Sequence, residues 1–397
     1  MNDDRFHAFD ALRASALLLG IVLHATMSFL NGFRELRFPI ADVSQSLTLE
    51  LFFFVVHMFR MLLFFLVAGF FARLLMQRLG TGGFIRNRLR RVGLPLVIFY
   101  PLLLPLVVIP IIWAAKQQGM QAGQGGQGGM PPGIPWFHLW FLYLLLLMYA
   151  LLLVLRAVVG WLDRRGAGRA RLDAALRVAL EWRVAPLLVA LPTAALLYLT
   201  PSWAQMGGIP APLAGLVPPA GSLLGYGSGF MVGWWIHRQL PLFDLLRRDW
   251  KWYLAAAVVA TGVASSIVGV QSHLTPLVMT PEKRALYAIA YTLGAWCWVV
   301  GLAGAALCWC THASARWRYL SDASYWMYLV HVPIVWSLQA WTMRWPLHWS
   351  LKFPLILAIT AALLLTSYHY LVRDTFIGKL LNGRRYPRLL PPTPVLT

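Results

Sequence analysis

The segment FDALRASALLLGIVLHATMSFL, residues 9–30, decides the fold class. It has the length and apolar content of a membrane-crossing helix, which needs about 20 residues at a rise of about 1.5 Å each. Yet it carries Asp10, Arg13 and His24. Ionisable groups inside a bilayer are costly, and mark function by default. At about 100° per residue, eleven positions bring His24 back to the face of Arg13, and Asp10 lies within about 40° of it. Leu17, Gly20 and Ser28 continue the stripe, and a glycine there would admit a neighbouring helix. Arg13 and His24 are about 16 Å apart along the axis. The spacing predicts a polar stripe from one membrane edge to a histidine in the opposite half. A snorkelling arginine and a hydrogen-bonded core histidine would give the same pattern.

The rest of the chain is read from that helix. Of 397 residues, 59% are hydrophobic and only 12% charged, which excludes a soluble domain. Apolar runs recur at roughly 8–30, 47–72, 92–115, 136–156, 184–200, 215–236, 252–271, 286–309, 321–341 and 352–372. The expected fold is an all-α integral membrane protein, a polytopic bundle of about ten transmembrane helices. Of the 34 Lys and Arg residues, 26 fall at the termini or after even-numbered spans, seven fall on the other side, and Arg60 lies inside a span. The positive-inside rule then puts both termini in the cytoplasm, and reads the net charge of +20 as topology rather than nucleic-acid binding. Residues 1–375 read as one transmembrane domain and 376–397 as a cytoplasmic tail, Pro- and Arg-rich and disordered from 384.

Smaller features are read in the same way. GMQAGQGGQGGMPPG, residues 119–133, contains a formal G-x-G-x-x-G at Gly123, Gly125 and Gly128. No strand precedes it, so a flexible outer loop is expected rather than a dinucleotide site. Residues 161–183 read as a basic amphipathic helix on anionic lipid. Cys297, Cys308 and Cys310 have no second pair at metal-ligand spacing, so reduced structural thiols and no metal are expected. Asp3, Asp4 and Arg5, with no small-residue cleavage site after a short apolar core, argue against a cleavable signal peptide.

Polar residues in the other apolar runs complete the candidate site. In LFFFVVHMFRMLLFFLVAGFF, His57 and Arg60 are helix neighbours, with Glu50 one heptad before His57. Arg60 falls near the membrane centre and needs an interior partner or a substrate anion. After that span, GFIRNRLRRVGLPL holds Arg86, Arg88, Arg90 and Arg91, read as a turn and helix start suited to phosphate or as ordinary positive-inside charge. His138, Trp140 and Tyr143 open the fourth span at the outer interface, and Ser324, Tyr328 and His331 share one face of the ninth. No GxSxG, HExxH or Walker A motif is visible.

Taken in order, FDALR with R-x10-H (Arg13, His24), H-x-x-R and FFLVAGFF in the second span, R-x-x-R before Pro95, HLWFL and SYWMYLVHVP resemble the membrane acyltransferase-3 family over about residues 5–375. Within it they are most similar to the glucan-biosynthesis group of periplasmic glucan succinyltransferases. Val67-Ala68-Gly69 departs from the family, where many members have a serine before the glycine. The resemblance implies a multi-pass protein of the bacterial inner membrane. It would move an acyl group, succinyl for that group, from cytosolic acyl-CoA to a hydroxyl of a periplasmic glucan. Acyl-CoA is then a donor substrate, no cofactor is permanently bound, and the partners are a carbohydrate acceptor and membrane lipid. Arg86, Arg88 and Arg91 would hold the CoA phosphates. His24 would be the general base on the stripe with Asp10 and Arg13, and Arg60, His57 or Tyr328 would donate to the oxyanion. Glu50, His138, Trp140, Tyr328 and His331 would serve the acceptor end, Glu50 by orienting the His24 ring. An O-acetyltransferase of another envelope polysaccharide or lipid fits the same residues. A transporter fits less well, because no internal repeat is visible.

Overall fold

The computed structural model describes residues 4–120, 133–312, 314–383 and 385–386. The helices are α1 (Asp4–Thr26), α2 (Asn31–Glu35), α3 (Leu47–Arg88), α4 (Leu94–Gln117), α5 (Trp140–Leu162), α6 (Ala167–Glu181) and α7 (Ala185–Tyr198). They continue with α8 (Ala220–Arg238), α9 (Leu242–Val268), α10 (Pro281–Trp309), α11 (Ala315–Thr342), α12 (Trp349–Ser367) and α13 (Phe376–Asn382). Among the described residues there is no β-strand, only one isolated bridge between Pro135 and Ala214. Each of the ten apolar runs overlaps a helix of its own. Among the described residues six helical stretches are long and apolar enough to cross a membrane: His7–Phe29, Leu47–Gln117, Phe137–Leu162, Leu242–Val268, Pro281–Trp309 and Trp349–Val372. The chain is a polytopic, all-helical membrane protein. The expected glycine-rich loop lies outside the described residues at 121–132, as do residues 1–3 and, in the tail, 384 and 387–397.

Large aliphatic side chains such as Val97, Leu102 and Ile109 on α4 and Val258 and Val259 on α9 face outward, where lipid is the solvent. Lipid removes the hydrophobic drive between helices, so close packing and small residues must hold them. The α3–α8 contact shows this. A Cβ at Gly69 would overlap the carbonyl oxygen of Phe230, and one at Gly233 that of Leu66. Neither position can take a side chain without parting the two helices. At the centre, Phe9 stacks on Phe70 at 4.0 Å, and Phe65 stacks on Tyr226 at 5.1 Å between ring centroids.

Three sequence expectations need correction. The expected turn before Pro95 is not a turn. α3 bends at Gly80, whose φ of 67° suits glycine, runs on to Arg88, and passes through a π-helical turn (Leu89–Gly93) into α4. The Leu94 N–H reaches Leu89 O, and this wider i→i−5 turn lets helix continue into Pro95, which has no N–H. Arg88 and Arg91 therefore do not stand at a free helix start; they offer guanidinium groups alone. Second, part of the stretch read as a tail is helical: α13 packs its Gly378 against the carbonyls of Val372 and Arg373. Third, Lys352, one of the seven basic residues assigned to the side opposite the termini, sits not in a loop but fully buried in α12, ion-paired with Asp42 at 2.7 Å. The helix expected over 161–183 is shorter: α6 covers Ala167–Glu181, and residues 161–162 belong to α5. Asp163 closes the first turn of α6 by accepting from the backbone N–H groups of Arg169 and Gly168, which holds its carboxyl below the usual range.

Candidate active site

A cavity of about 580 Å³ runs through the bundle between α1, α3, α5 and α11. Its arginine-rich end is lined by Asp10, Arg13, Arg88, Arg91, Asn382 and Tyr386, and its far end by His24, Arg60, His138, Trp140, Tyr328 and His331. The helical periodicity of α1 is the reason: Asp10, Arg13, Leu17, Gly20 and His24 all line it. α11 supplies the opposite wall with Ser321, Ser324, Tyr328 and His331, again spaced by three and four.

At the arginine-rich end the side chains are tied to one another. Arg13 pairs with Asp10 at 3.3 Å and donates to Ser321 Oγ. Arg88 donates to Asn87 Oδ1 at 2.7 Å and to the Tyr149 hydroxyl at 3.3 Å. Arg91 donates to the carbonyl of Asn382, the last residue of α13, at 2.8 Å. Asn382 Nδ2 and the Tyr386 hydroxyl in turn donate to the Asp322 carbonyl and carboxylate.

At the far end three imidazoles gather. Ring centroids are 5.1 Å apart for His24 and His331, and 5.5 Å for His138 and His331. In the neutral ring one nitrogen donates and the other accepts, so the partners assign the tautomers. His331 Nδ1 faces the carbonyls of Tyr328 (2.8 Å) and Met327 (3.1 Å), and must carry the proton there. His138 Nε2 faces Leu329 O at 2.9 Å and is likewise the protonated nitrogen. His24 Nδ1 faces the Met27 sulfur at 3.2 Å, which leaves Nε2 with the free lone pair. Gln339 fixes this end of α1 by donating to the carbonyls of His24 and Ala25. His331 and His138 are buried, whereas His24 is partly accessible.

Arg60 completes the group. Its guanidinium fills the space that a Cβ on Gly20 would need, so the glycine of the stripe accommodates an arginine rather than a helix backbone. Arg60 Nε is buried with no hydrogen-bond partner among the described residues, and none of their carboxylates lies within ion-pair distance. Its ionisable neighbours are His24, His57 and His331 with the phenols Tyr226 and Tyr328. The Tyr328 hydroxyl is already donated to His138 O at 2.7 Å. Among the described residues Arg60 is therefore a cationic donor left uncommitted at the histidine end.

Some sequence candidates lie elsewhere. Glu50 is buried and accepts the backbone N–H groups of Asn31 (2.8 Å) and Ser272 (2.5 Å), so it fastens loops and does not orient His24. His57 bonds Gly207 O at 3.0 Å, stacks on Phe53, and does not line the cavity. Arg86 and Arg90 do not line the cavity itself but an adjoining surface pocket with Lys379, which shares Arg91 and Gly383 with the cavity. Ser321, Tyr149, Asn382 and Gln339 were not foreseen. Ser321 could have been, since it lies one heptad before Tyr328 on the same face.

A polar stripe, three histidines and an arginine with no carboxylate partner among the described residues thus line one cavity. The acyltransferase-3 profile, described as an acyltransferase domain, matches residues 6–369. This chain belongs to the acyltransferase-3 family. Its curated relatives include glucans biosynthesis protein C of Shigella boydii serotype 4 (strain Sb227), 33% identical over 99 residues, and that of Escherichia coli (strain K12), 32% identical over 99 residues. In both cases the match covers 25% of this chain and 25% of the relative, so it spans about a quarter of the length of each. No solved structure matches this acyltransferase-3 chain.

Proposed function

We propose that this acyltransferase carries an acyl group from acyl-CoA at the arginine-rich end to a carbohydrate hydroxyl at the histidine end. The observation that carries this is the single cavity joining Arg88 and Arg91 to His24 and Arg60. Ten crossings with both termini in the cytoplasm put the arginine-rich mouth in the cytoplasm of the bacterial inner membrane, and the histidines toward the periplasm. The relatives' name supports a glucan as acceptor and, by the family resemblance, succinyl as the acyl group.

The chemistry follows from the side chains. A sugar hydroxyl is a weak nucleophile until its proton is removed. His24 Nε2 takes that proton as the hydroxyl oxygen attacks the thioester carbonyl carbon. The carbonyl oxygen becomes an oxyanion, which Arg60 meets as the uncommitted cation. The C–S bond then breaks, and the imidazolium returns its proton to the departing thiolate. The products are an ester and the free CoA thiol. Direct attack is favoured over an acyl-histidine because one narrow cavity can hold both substrates at a single point. Asp10 and Arg13 hold each other near the mouth, while His138, Trp140, Tyr328 and His331 shape the acceptor end.

The donor half is tested at Arg88. Guanidinium groups suit phosphate, and Arg88 has a buried Nε without a partner among the described residues. Arg88→Ala is expected to weaken acyl-CoA binding roughly tenfold, the scale of one charge-assisted hydrogen bond. Binding of the phosphate-free acyl-pantetheine should change little. Equal losses for the two donors, measured by calorimetry, would show that Arg88 does not read the phosphates.

A further inference from the structure

A second pocket, of about 360 Å³, lies at the arginine-rich end between α3, α5, α6 and α8, and shares no lining residue with the transfer cavity. Four arginines line it: Arg73, Arg156, Arg169 and Arg238. Two are committed to aspartates, Arg169 to Asp163 at 3.1 Å and Arg238 to Asp173 at 2.9 Å. The other two are not. Arg73 lies 5.3 Å over the Trp234 ring, with its buried Nε unpartnered among the described residues. Arg156 contacts the Met76 sulfur. Neither has a carboxylate of the described residues within ion-pair distance, so four guanidinium groups face two carboxylates.

The pocket has an apolar extension. Leu155, Val159, Met231 and Trp235 line it and also line a neighbouring cavity of about 380 Å³. The walls of that cavity are otherwise apolar, with Leu172, Leu176 and Leu180 of α6 on one side. Trp161, in the last turn of α5, and Trp182, directly after α6, are 67% and 77% exposed, as suits side chains at a membrane interface. A basic socket that opens into an aliphatic groove fits one amphiphile with a phosphate at its head and hydrocarbon behind it.

We infer that this paired socket and groove bind an anionic phospholipid, its phosphate between Arg73 and Arg156 and an acyl chain under α6. Arginine clusters recognise phosphate by paired donors, and cationic residues at the basic side of a membrane protein attract anionic headgroups. The site rests on this end meeting a lipid leaflet and not on the acyl-transfer chemistry, so the two readings fail separately.

The test titrates the purified full chain in neutral detergent with phosphatidylglycerol or phosphatidylcholine and follows the thermal unfolding midpoint. Phosphatidylglycerol is expected to raise the midpoint saturably, and phosphatidylcholine to do so much less. The double variant Arg73→Gln, Arg156→Gln should bind phosphatidylglycerol at least about tenfold more weakly, while Arg164→Gln, Arg165→Gln, exposed outside the pocket, should match the natural chain. If the double variant does not fold, the exposed Arg156→Gln alone should show a several-fold loss. Succinyl-CoA and inorganic phosphate should not displace the lipid. Equal responses to the two lipids, an unaffected Arg156→Gln, or displacement by succinyl-CoA would overturn the assignment.

Discussion

His24→Ala is expected to bind acyl-CoA as the natural chain does and to transfer the acyl group about 10²–10⁴ times more slowly. That loss corresponds to about 3–5 kcal/mol of barrier. Binding should persist because the arginine-rich mouth lies on the order of 16 Å along α1 from His24, by helix rise. His24 is singled out from its neighbours by its hydrogen bonds. Its Nδ1 faces only the Met27 sulfur, and its ring is partly accessible. His331 and His138 are buried and bonded to backbone carbonyls. His331→Ala should therefore cost less, through loosened packing beside the His24 ring. A single-turnover measurement with bound acyl-CoA separates the steps. A near-natural rate in a folded His24→Ala protein would pass the base role to His331 or His138.

Arg60→Met should have the opposite signature in stability and rate. Transfer is expected to fall by about 10²–10³, the scale of one lost oxyanion donor. Thermal stability is expected to rise, because a cation in the bundle with a buried, unpartnered Nε costs free energy that an apolar side chain of similar length does not. An arginine kept for the fold would do the reverse, so the two roles are told apart by the sign of the change in unfolding midpoint. Gly20→Ala should reproduce part of the rate loss, since its methyl group would enter the space of the Arg60 guanidinium. A stable Arg60→Met protein with natural turnover would remove Arg60 from the chemistry.

Much of this arrangement was legible in the sequence. The polar stripe of α1 depends only on a 3.6-residue period, and Asp10, Arg13 and His24 line the cavity together. The same holds for Ser324, Tyr328 and His331 on α11. On α3 periodicity shows only which residues share a face. Glu50 and His57 do share one, but it turns toward the loops at Ser272 and Gly207, while Arg60, one turn on, faces the cavity. Which face looks inward is set by the neighbouring helices, which spacing along one segment does not encode. The π turn was hidden because Gly93 and Pro95 are also the signals of a loop. The role of Asn382 depends on α13 folding back to Arg91, a contact between residues almost 300 positions apart in the chain.

On the proposed function, one cavity conducts an acyl group between the two faces of the membrane. Proteoliposomes of the full chain, with succinyl-CoA on the side of the arginine-rich mouth and glucan on the other, test it most directly. Free CoA thiol is expected on the first side and glucan carrying succinyl mass increments on the second, in equal amounts, with both lost in His24→Ala. Thiol release that does not depend on glucan, or glucan modified only when both substrates share one side, would contradict it.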